Sequence, residues 1–319
     1  MTGFRNTWVV AKRELSGYFV SPVAYVFTCF FLLLSASFTF MLGGFFPRNE
    51  ASLVAFFLWH PWLYMFLVPA VGMRLWSEER RVGTFELLLT MPITTLQAVM
   101  GKFLAGWLFM GLALLLTFPM ILTVASLGSP DGGVIACAYL GSFLMGGAFL
   151  AISSMTSSLT RNQVVSFILS VVLCFLLILA GWPPVTNVLT SLYDSAWFLR
   201  LLVMGAVLLA SVVALGLLRV AGVPLRGLLA GLAWWGFSLV LALVALFWDK
   251  ISFLGASGFR SAVEGAAASL IDFAVKVSIM GHFDALQRGV VDLRDMVYFA
   301  TVIGFALFTT GVVLKTRRS

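Results

Sequence analysis

Long apolar runs constrain this chain more than any other feature of its sequence. Eight runs of 18 to 25 residues occur along the 319 positions: 24–43, 52–71, 103–125, 134–158, 164–182, 201–218, 228–248 and 296–314. A helix needs about 20 apolar residues to cross a hydrocarbon core roughly 30 Å thick. Because the runs are continuous and do not alternate with polar residues, they favour helices over a membrane barrel. With 61% hydrophobic and 10% charged residues, the chain is predicted to be an all-α integral membrane protein with about eight transmembrane helices.

The first 22 residues differ from a cleaved signal peptide. Charges are spread through the first fourteen positions, and no short apolar stretch with a small-residue cleavage site follows. Apolar residues recur every three or four positions, at Phe4, Trp8, Ala11, Leu15 and Tyr18. This spacing predicts an amphipathic helix in the membrane interface, with Lys12 and Arg13 off its apolar face. A frayed tail is the alternative.

The distribution of basic residues predicts the orientation of the chain. If the N-terminus is inside, eight crossings return the C-terminus to the same side. That side then holds thirteen of the twenty basic residues and only four of the thirteen acidic ones. Because cytoplasmic loops carry such an excess, both termini are predicted to be cytoplasmic. The net charge of +7 is then explained by topology and contact with anionic membrane lipids, and not by nucleic-acid binding.

No residue pattern predicts a catalytic centre, a cofactor or a metal ion. Cys29, Cys137 and Cys174 each fall inside an apolar run and form no CxxC pair, and His60 and His282 are the only histidines. The one Gly-Lys pair, at 101–102, precedes phenylalanine where a phosphate-binding loop requires Ser or Thr. The chain is therefore predicted not to be an enzyme and to have no ATPase site of its own.

Charged residues cluster at the ends of the predicted spans and in loops, with none near a span's midplane. Ion-coupled carriers and channels with charged filters usually place charges there. Two classes of membrane protein remain: a transporter driven from outside the bilayer, and a passive scaffold.

A charged island, residues 74–102, separates the second and third apolar runs. Within it, Leu88 and Leu89 lie opposite Glu86, which predicts an amphipathic helix at the inner surface. Pro92 would end this helix, because proline cannot donate an amide hydrogen bond. The alternative is an ordinary solvated loop.

Residues 249–295 form the longest predicted outer segment. Helical periodicity over 259–280 is too interrupted to span the bilayer, so it predicts an interfacial or re-entrant helix. A dense polar cluster follows: His282, Asp284, Arg288, Asp292, Arg294 and Asp295. These residues are predicted to form either an extracytoplasmic gate or docking surface, or a set of mutually satisfied charges that caps the last helix.

Three separated motifs resemble the type-2 ABC exporter permeases. Residues 78–102, EERRVGTFELLLTMPITTLQAVMGK, resemble their coupling segment, and residues 12–26 resemble their amphipathic connecting helix. Residues 281–310 are similar to the gliding-motility-associated branch. The resemblance implies that a short inner helix docks on a separate ABC ATPase subunit, which holds ATP and Mg²⁺, and that two permease subunits form the export path. The residues it assigns to coupling are Glu78, Glu79, Arg80, Arg81, Gly83, Thr84 and Glu86.

The predicted hairpin 201–248 departs from the six-span plan of such permeases. Its basic turn, 219–226, would lie inside, so the pair of spans preserves the orientation of everything after it. The hairpin could meet an accessory membrane subunit.

Two functional hypotheses follow for this single transmembrane domain, 1–319, in a bacterial inner membrane: an exporter permease, or a scaffold in an ATPase-driven mechanical complex. The substrate stays open among lipid, glycan, peptide and drug.

Overall fold

The computed structural model of the chain describes residues 2–47, 50–83, 93–194, 265, 268–269 and 271–316. These residues form helices and turns, with no β-strand among them. The helices are α1 Thr2–Val20, α2 Pro22–Ser37 (continued by the π-helical turn Phe38–Leu42), α3 Val54–Phe57, α4 His60–Gly72, α5 Arg74–Val82, α6 Thr95–Leu115, α7 Phe118–Leu127, α8 Gly132–Leu159, α9 Gln163–Leu179, α10 Pro183–Asp194, α11 Ile279–Gln287 and α12 Leu293–Thr316.

Within the described residues, four helical stretches are long and apolar enough to cross a membrane: Ala24–Leu42, Thr95–Leu127, Gly132–Leu159 and Leu293–Thr316. They correspond to the first, third, fourth and eighth predicted spans. The fifth is present as the shorter apolar helix α9, of 17 residues. The sixth and seventh lie outside the described residues. The structure therefore supports an all-helical membrane protein, while the count of eight spans and the orientation stay predictions.

The second predicted span, residues 52–71, is not one continuous helix. It is divided into α3 and α4 by a turn at Leu58 and Trp59. The break follows from Pro61, which cannot donate an amide hydrogen bond to the preceding turn and therefore sits at the start of α4. The imidazole Nδ1 of His60 instead donates to the Phe56 carbonyl at 3.0 Å. With 13 residues, α4 is about 20 Å long.

Helix α8 is the most deeply buried of the four long helices. It packs against α4, α6, α9, α11 and α12. Small residues allow this close packing, as at membrane helix interfaces generally. A Cβ atom on Gly147 would lie 2.7 Å from the Trp107 indole nitrogen of α6, and one on Gly141 would lie 2.9 Å from Leu286 Cβ of α11. Substituting either glycine would push a neighbouring helix away.

Helix α1 is confirmed as a helix, and it packs along α6. A Cβ on Gly101 would lie 2.7 Å from Val10 Cβ, so the two helices nearly touch there. Tyr18 stacks on Phe109 with ring centroids 5.1 Å apart. On α1, Val10 and Ala11 are buried, while Trp8 is 51% exposed. The packed face is centred on Ala11, which leaves Trp8 at its edge.

The chain divides into two compact units, Met1–Leu179 with Ser278–Ser319, and Ala180–Val277. In the second unit the structure describes α10 and several residues between 265 and 277. There Lys276 forms an ion pair with Asp272 at 2.6 Å, one helical turn away. All the contacts discussed below belong to the first unit.

Candidate functional site

Helix α5 forms the first part of the charged island, and the start of α6 forms its last part; residues 84–92, which carry most of the predicted amphipathic helix and Pro92, lie outside the described residues. Helix α5 begins at Arg74, directly after Met73, and ends at Gly83, whose φ of 81° is in the left-handed region. Glycine adopts that conformation without strain, so Gly83 terminates the helix. Arg80 and Arg81 lie in the last turn, where positive charge is favourable near the helix C-terminus. Gly83 therefore has a structural role as the residue that ends α5, whether or not a partner is bound.

Serine hydroxyls of α8 hold the start of α5. The backbone N–H groups of Trp76 and Ser77 both donate to Ser157 Oγ at 3.0 Å, and Ser157 donates to the Met73 carbonyl at 2.8 Å. The Trp76 indole N–H donates to Ser154 Oγ at 3.0 Å. All four side chains involved here, those of Trp76, Ser77, Ser154 and Ser157, are buried. The first turn of α5 is therefore fixed to α8 without access to water.

Lys102 of α6 ties three helices together. Its ammonium lies 3.1 Å from Glu14 Oε2 on α1 and 2.8 Å from Glu79 Oε1 on α5. It also lies 5.5 Å from the centroid of the Trp76 ring, within cation–π range. Lys102 is only 3% exposed. Two carboxylates therefore share one buried cation, and the three residues form what we call the Lys102 triad.

Two opposing effects act on the pKa of the Glu14 carboxyl in the triad. Burial alone raises the pKa of the Glu14 carboxyl, but the positive charges and hydrogen bonds of Lys102 and Arg13 outweigh it and hold that pKa below its ordinary value. Arg13 lies 2.8 Å from the second oxygen, Oε1. Glu14 is therefore ionised at neutral pH and available to pair with Lys102.

The triad borders a polar cleft of about 350 Å³ between α1, α5 and α6. Its charged lining residues are Glu14, Arg74, Glu78, Glu79 and Lys102. Arg74 and Glu78 pair across one turn of α5 at 3.4 Å, and both are partly exposed. The cleft is thus lined both by Glu79, which is paired with Lys102, and by the partly exposed Arg74–Glu78 pair of α5.

The residues predicted to contact an ATPase fall into three groups. The Glu79 side chain is only 17% exposed and is paired with Lys102. Glu78 and Arg80 are partly buried, and Arg81 is exposed. Thr84 and Glu86 lie outside the described residues. Accessible charge on α5 is therefore found at the exposed Arg81 and, in part, at Arg74 and Glu78.

Sequence reasoning did not identify Lys102, Ser154 or Ser157 as parts of the site. Lys102 was placed at the start of a span, but α6 already begins at Thr95, after a capping box formed by Thr94 and Gln97. The signals were present: a lysine inside an apolar helix, and the run SSMTSS at 153–158. Polar residues in apolar helices usually mark contacts between helices.

The predicted outer cluster lies at the other end of α8, around α11 and the start of α12. His282 Nδ1 donates to Asp295 Oδ1 at 2.6 Å, and both side chains are about nine-tenths buried. The His282 ring stacks on Tyr298, with centroids 3.9 Å apart. A second contact involves uncharged groups and joins α11 to α3: the Gln287 side-chain amide donates to the Val54 backbone carbonyl at 3.1 Å.

The remaining charged residues of this cluster pair with, or bind, groups close to them in the sequence. Asp292 Oδ1 accepts from the backbone N–H of Arg294 at 3.0 Å, as an N-terminal cap of α12. Asp284 pairs with Arg288 at 2.6 Å one turn along α11, and both are exposed. Of the two predicted interpretations, these contacts favour mutually satisfied charges that cap the last helix.

No protein-family model and no curated protein matches this chain. Among the described residues, no group of three or more His, Cys, Asp or Glu side chains could hold a metal ion. The case for function therefore depends on the geometry of α5 and its supports.

Proposed function

We propose that this chain is the permease subunit of an ATP-binding cassette exporter, located in a bacterial inner membrane. In this proposal α5 and the residues that follow it receive the movement of a separate cytoplasmic ATPase subunit, which binds ATP and Mg²⁺. The observation that carries the proposal is the Lys102 triad. It joins a charged, partly exposed helix to two others through one buried cation.

The supports of α5 are suited to transmitting force. Through Lys102, a push on α5 reaches α1 and α6, and through Ser154 and Ser157 it reaches α8. Removing one partner of a buried ion pair costs about 3–5 kcal/mol, so the triad does not separate under small loads. The distal end of α5, with Arg81 exposed, stays accessible to a partner.

The complete exporter would contain two permease subunits, each with cytoplasmic termini, and surrounding membrane lipids. The outer ends of α11 and α12 would face an extracytoplasmic accessory subunit or a second copy of the chain. Large apolar side chains such as Tyr25, Phe30 and Leu33 are exposed on α2, which supports contact with lipid or with another membrane subunit.

Charge reversal at Arg81 tests the proposal. We expect Arg81→Glu to leave the chain folded and inserted but to lose the ATPase subunit on purification in mild detergent, because opposed charges fix the register of an interface. Lys315→Glu, at an exposed lysine near the end of α12, is the matched control and should retain the partner. If Arg81→Glu co-purifies an active ATPase as the parent does, the coupling role of α5 is wrong.

The scaffold hypothesis predicts a different complex. An ATPase would co-purify, but the seam between neighbouring membrane subunits would be closed. An exporter instead requires a hydrophilic cavity at that seam. A structure of the purified complex with its ATPase therefore separates the two functions.

A further inference from the structure

The joint between α4 and α5 contains an interruption in its backbone hydrogen bonds. A single residue, Met73, lies between the two helices, and its N–H donates to the Pro69 carbonyl as the last bond of α4. In a continuous helix, the N–H of Trp76 would donate to the Gly72 carbonyl and that of Ser77 to the Met73 carbonyl. Both N–H groups donate instead to one side chain of another helix.

Ser157 of α8 occupies this interruption. Its hydroxyl accepts from the Trp76 and Ser77 N–H groups and donates to the Met73 carbonyl. One hydroxyl has a single donor and two acceptor positions, so Ser157 uses all of its hydrogen-bonding capacity at this joint. A side chain inserted into the helical ladder is one of the few established causes of a sharp kink.

We propose that Ser157 is a positioning residue that keeps the α4–α5 joint open as a hinge. The Ser157 hydroxyl takes the place of the carbonyls that would otherwise make α4 and α5 one straight helix. Because Ser157 is fully buried, water cannot replace it.

The packing around the joint supports this role. A Cβ on Gly72 would lie 2.2 Å from Ser153 Cβ, so α4 and α8 are as close as a glycine permits at the residue before the joint. On the other side of the joint, one helical turn after Gly72, the Trp76 indole N–H donates to Ser154 Oγ. Contacts on both sides of the joint therefore hold the Ser157 hydroxyl at the interrupted hydrogen bonds.

The functional consequence depends on the proposed function. If α5 receives movement from an ATPase, this hinge allows α5 to change its angle to α4 while its first turn stays attached to α8. Ser157 would then set the resting direction of α5 towards the partner.

Distance measurements on the purified chain test the hinge without any partner. Bio-orthogonal spin labels at Val82 and Val164, both exposed, report the direction of α5 relative to α9. In Ser157→Ala, the Trp76 and Ser77 amides can bond to the Gly72 and Met73 carbonyls, which straightens the joint. Nine residues of helix are about 13 Å long, so a change of about 20° in the direction of α5 moves its end by on the order of 5 Å, and we expect a shift of this size in the mean distance.

Three variants make the result specific. Ser158→Ala is the matched control, since Ser158 is equally buried but its hydroxyl bonds only to Met155 in its own helix, and it should keep the parental distance. Ser157→Thr retains the hydroxyl and should also keep it. Ser157→Cys, a weaker acceptor of similar size, should shift the distance in the same direction as alanine, which preserves the test if Ser157→Ala does not fold.

The outcomes for the hinge and for the exporter are separable. Parental distances in both Ser157→Ala and Ser157→Cys would overturn the hinge, whatever the ATPase result. A shifted distance in a chain that co-purifies with no ATPase would leave the hinge standing and remove the exporter function.

Discussion

The two ends of α8 are stabilised by different means. At the α5 end, charged and hydroxyl side chains connect α5 to three separate helices, through Lys102 and Ser157. At the α11 end, the charged contacts stay within α11 and α12. The two ends lie about 35 Å apart along α8. Gly289 packs against Val134 at one end, and α5 contacts Ser157 at the other. Side-chain contacts at the α5 end therefore join several helices, whereas the charged contacts at the α11 end stay between two.

The largest expected effect is at Lys102. Lys102→Met leaves Glu14 and Glu79 facing each other without their cation, and we expect the free energy of unfolding to fall by about 3–5 kcal/mol. Denaturant unfolding in detergent measures this loss. The triple variant Lys102→Met, Glu14→Gln, Glu79→Gln should recover most of it, because no unpaired buried charge remains; Arg13, which also loses its partner, is exposed. Equal stability of Lys102→Met and the parent would show that the triad does not hold the α5 end.

At the α11 end a smaller and more local effect is expected. Asp295→Asn weakens the charge-assisted hydrogen bond to His282, which contributes about 1.5–3 kcal/mol. Hydrogen exchange should therefore become faster in α11 and at the start of α12, while α5 keeps its protection. Asp284→Asn, in an exposed pair with Arg288, is the control and should change little. Faster exchange in α5 as well would mean that the two ends are not independent.

The smallest effect is the pH dependence of the Glu14 pair. Because the pKa of Glu14 is lower in the folded chain than its ordinary value of 4.5, its contribution is present above about pH 4.5 and is lost as the pH falls through the folded pKa. The stability difference between the parent and Glu14→Gln should thus be constant near neutral pH and shrink in acid. Thermal unfolding from pH 7 to pH 3 measures it. A difference that grows in acid would contradict the assignment.

Much of the fold follows from the sequence because apolar length determines membrane helices directly. The predicted run 134–158 and α8 agree to within two residues at each end. The run 52–71 was misjudged, because hydropathy ignores the effect of Pro61 on backbone hydrogen bonding. Helix α1 was predicted from its periodicity, but which of its residues face α6 depends on a neighbouring helix and not on α1 alone.

The candidate site was less predictable because its contacts join residues far apart in the chain. Glu14, Glu79 and Lys102 come from three helices, and nothing in their local sequence specifies that they share a cleft. The serines that bind α5 lie about 80 positions after it. Local rules identified the charged island, whereas only the packing of α1, α6 and α8 shows which charges of α5 face inwards.

Photo-cross-linking at the two ends of α8 tests the central claim most directly. A photoreactive amino acid is placed at Val82 in α5 or, as the matched control, at Val290 between α11 and α12; both positions are exposed. In native membranes we expect Val82 to capture a nucleotide-binding ATPase subunit and Val290 to capture none. Capture of the ATPase from Val290 alone, or from neither position while it co-purifies with the chain, would contradict the assignment of α5 as the coupling helix.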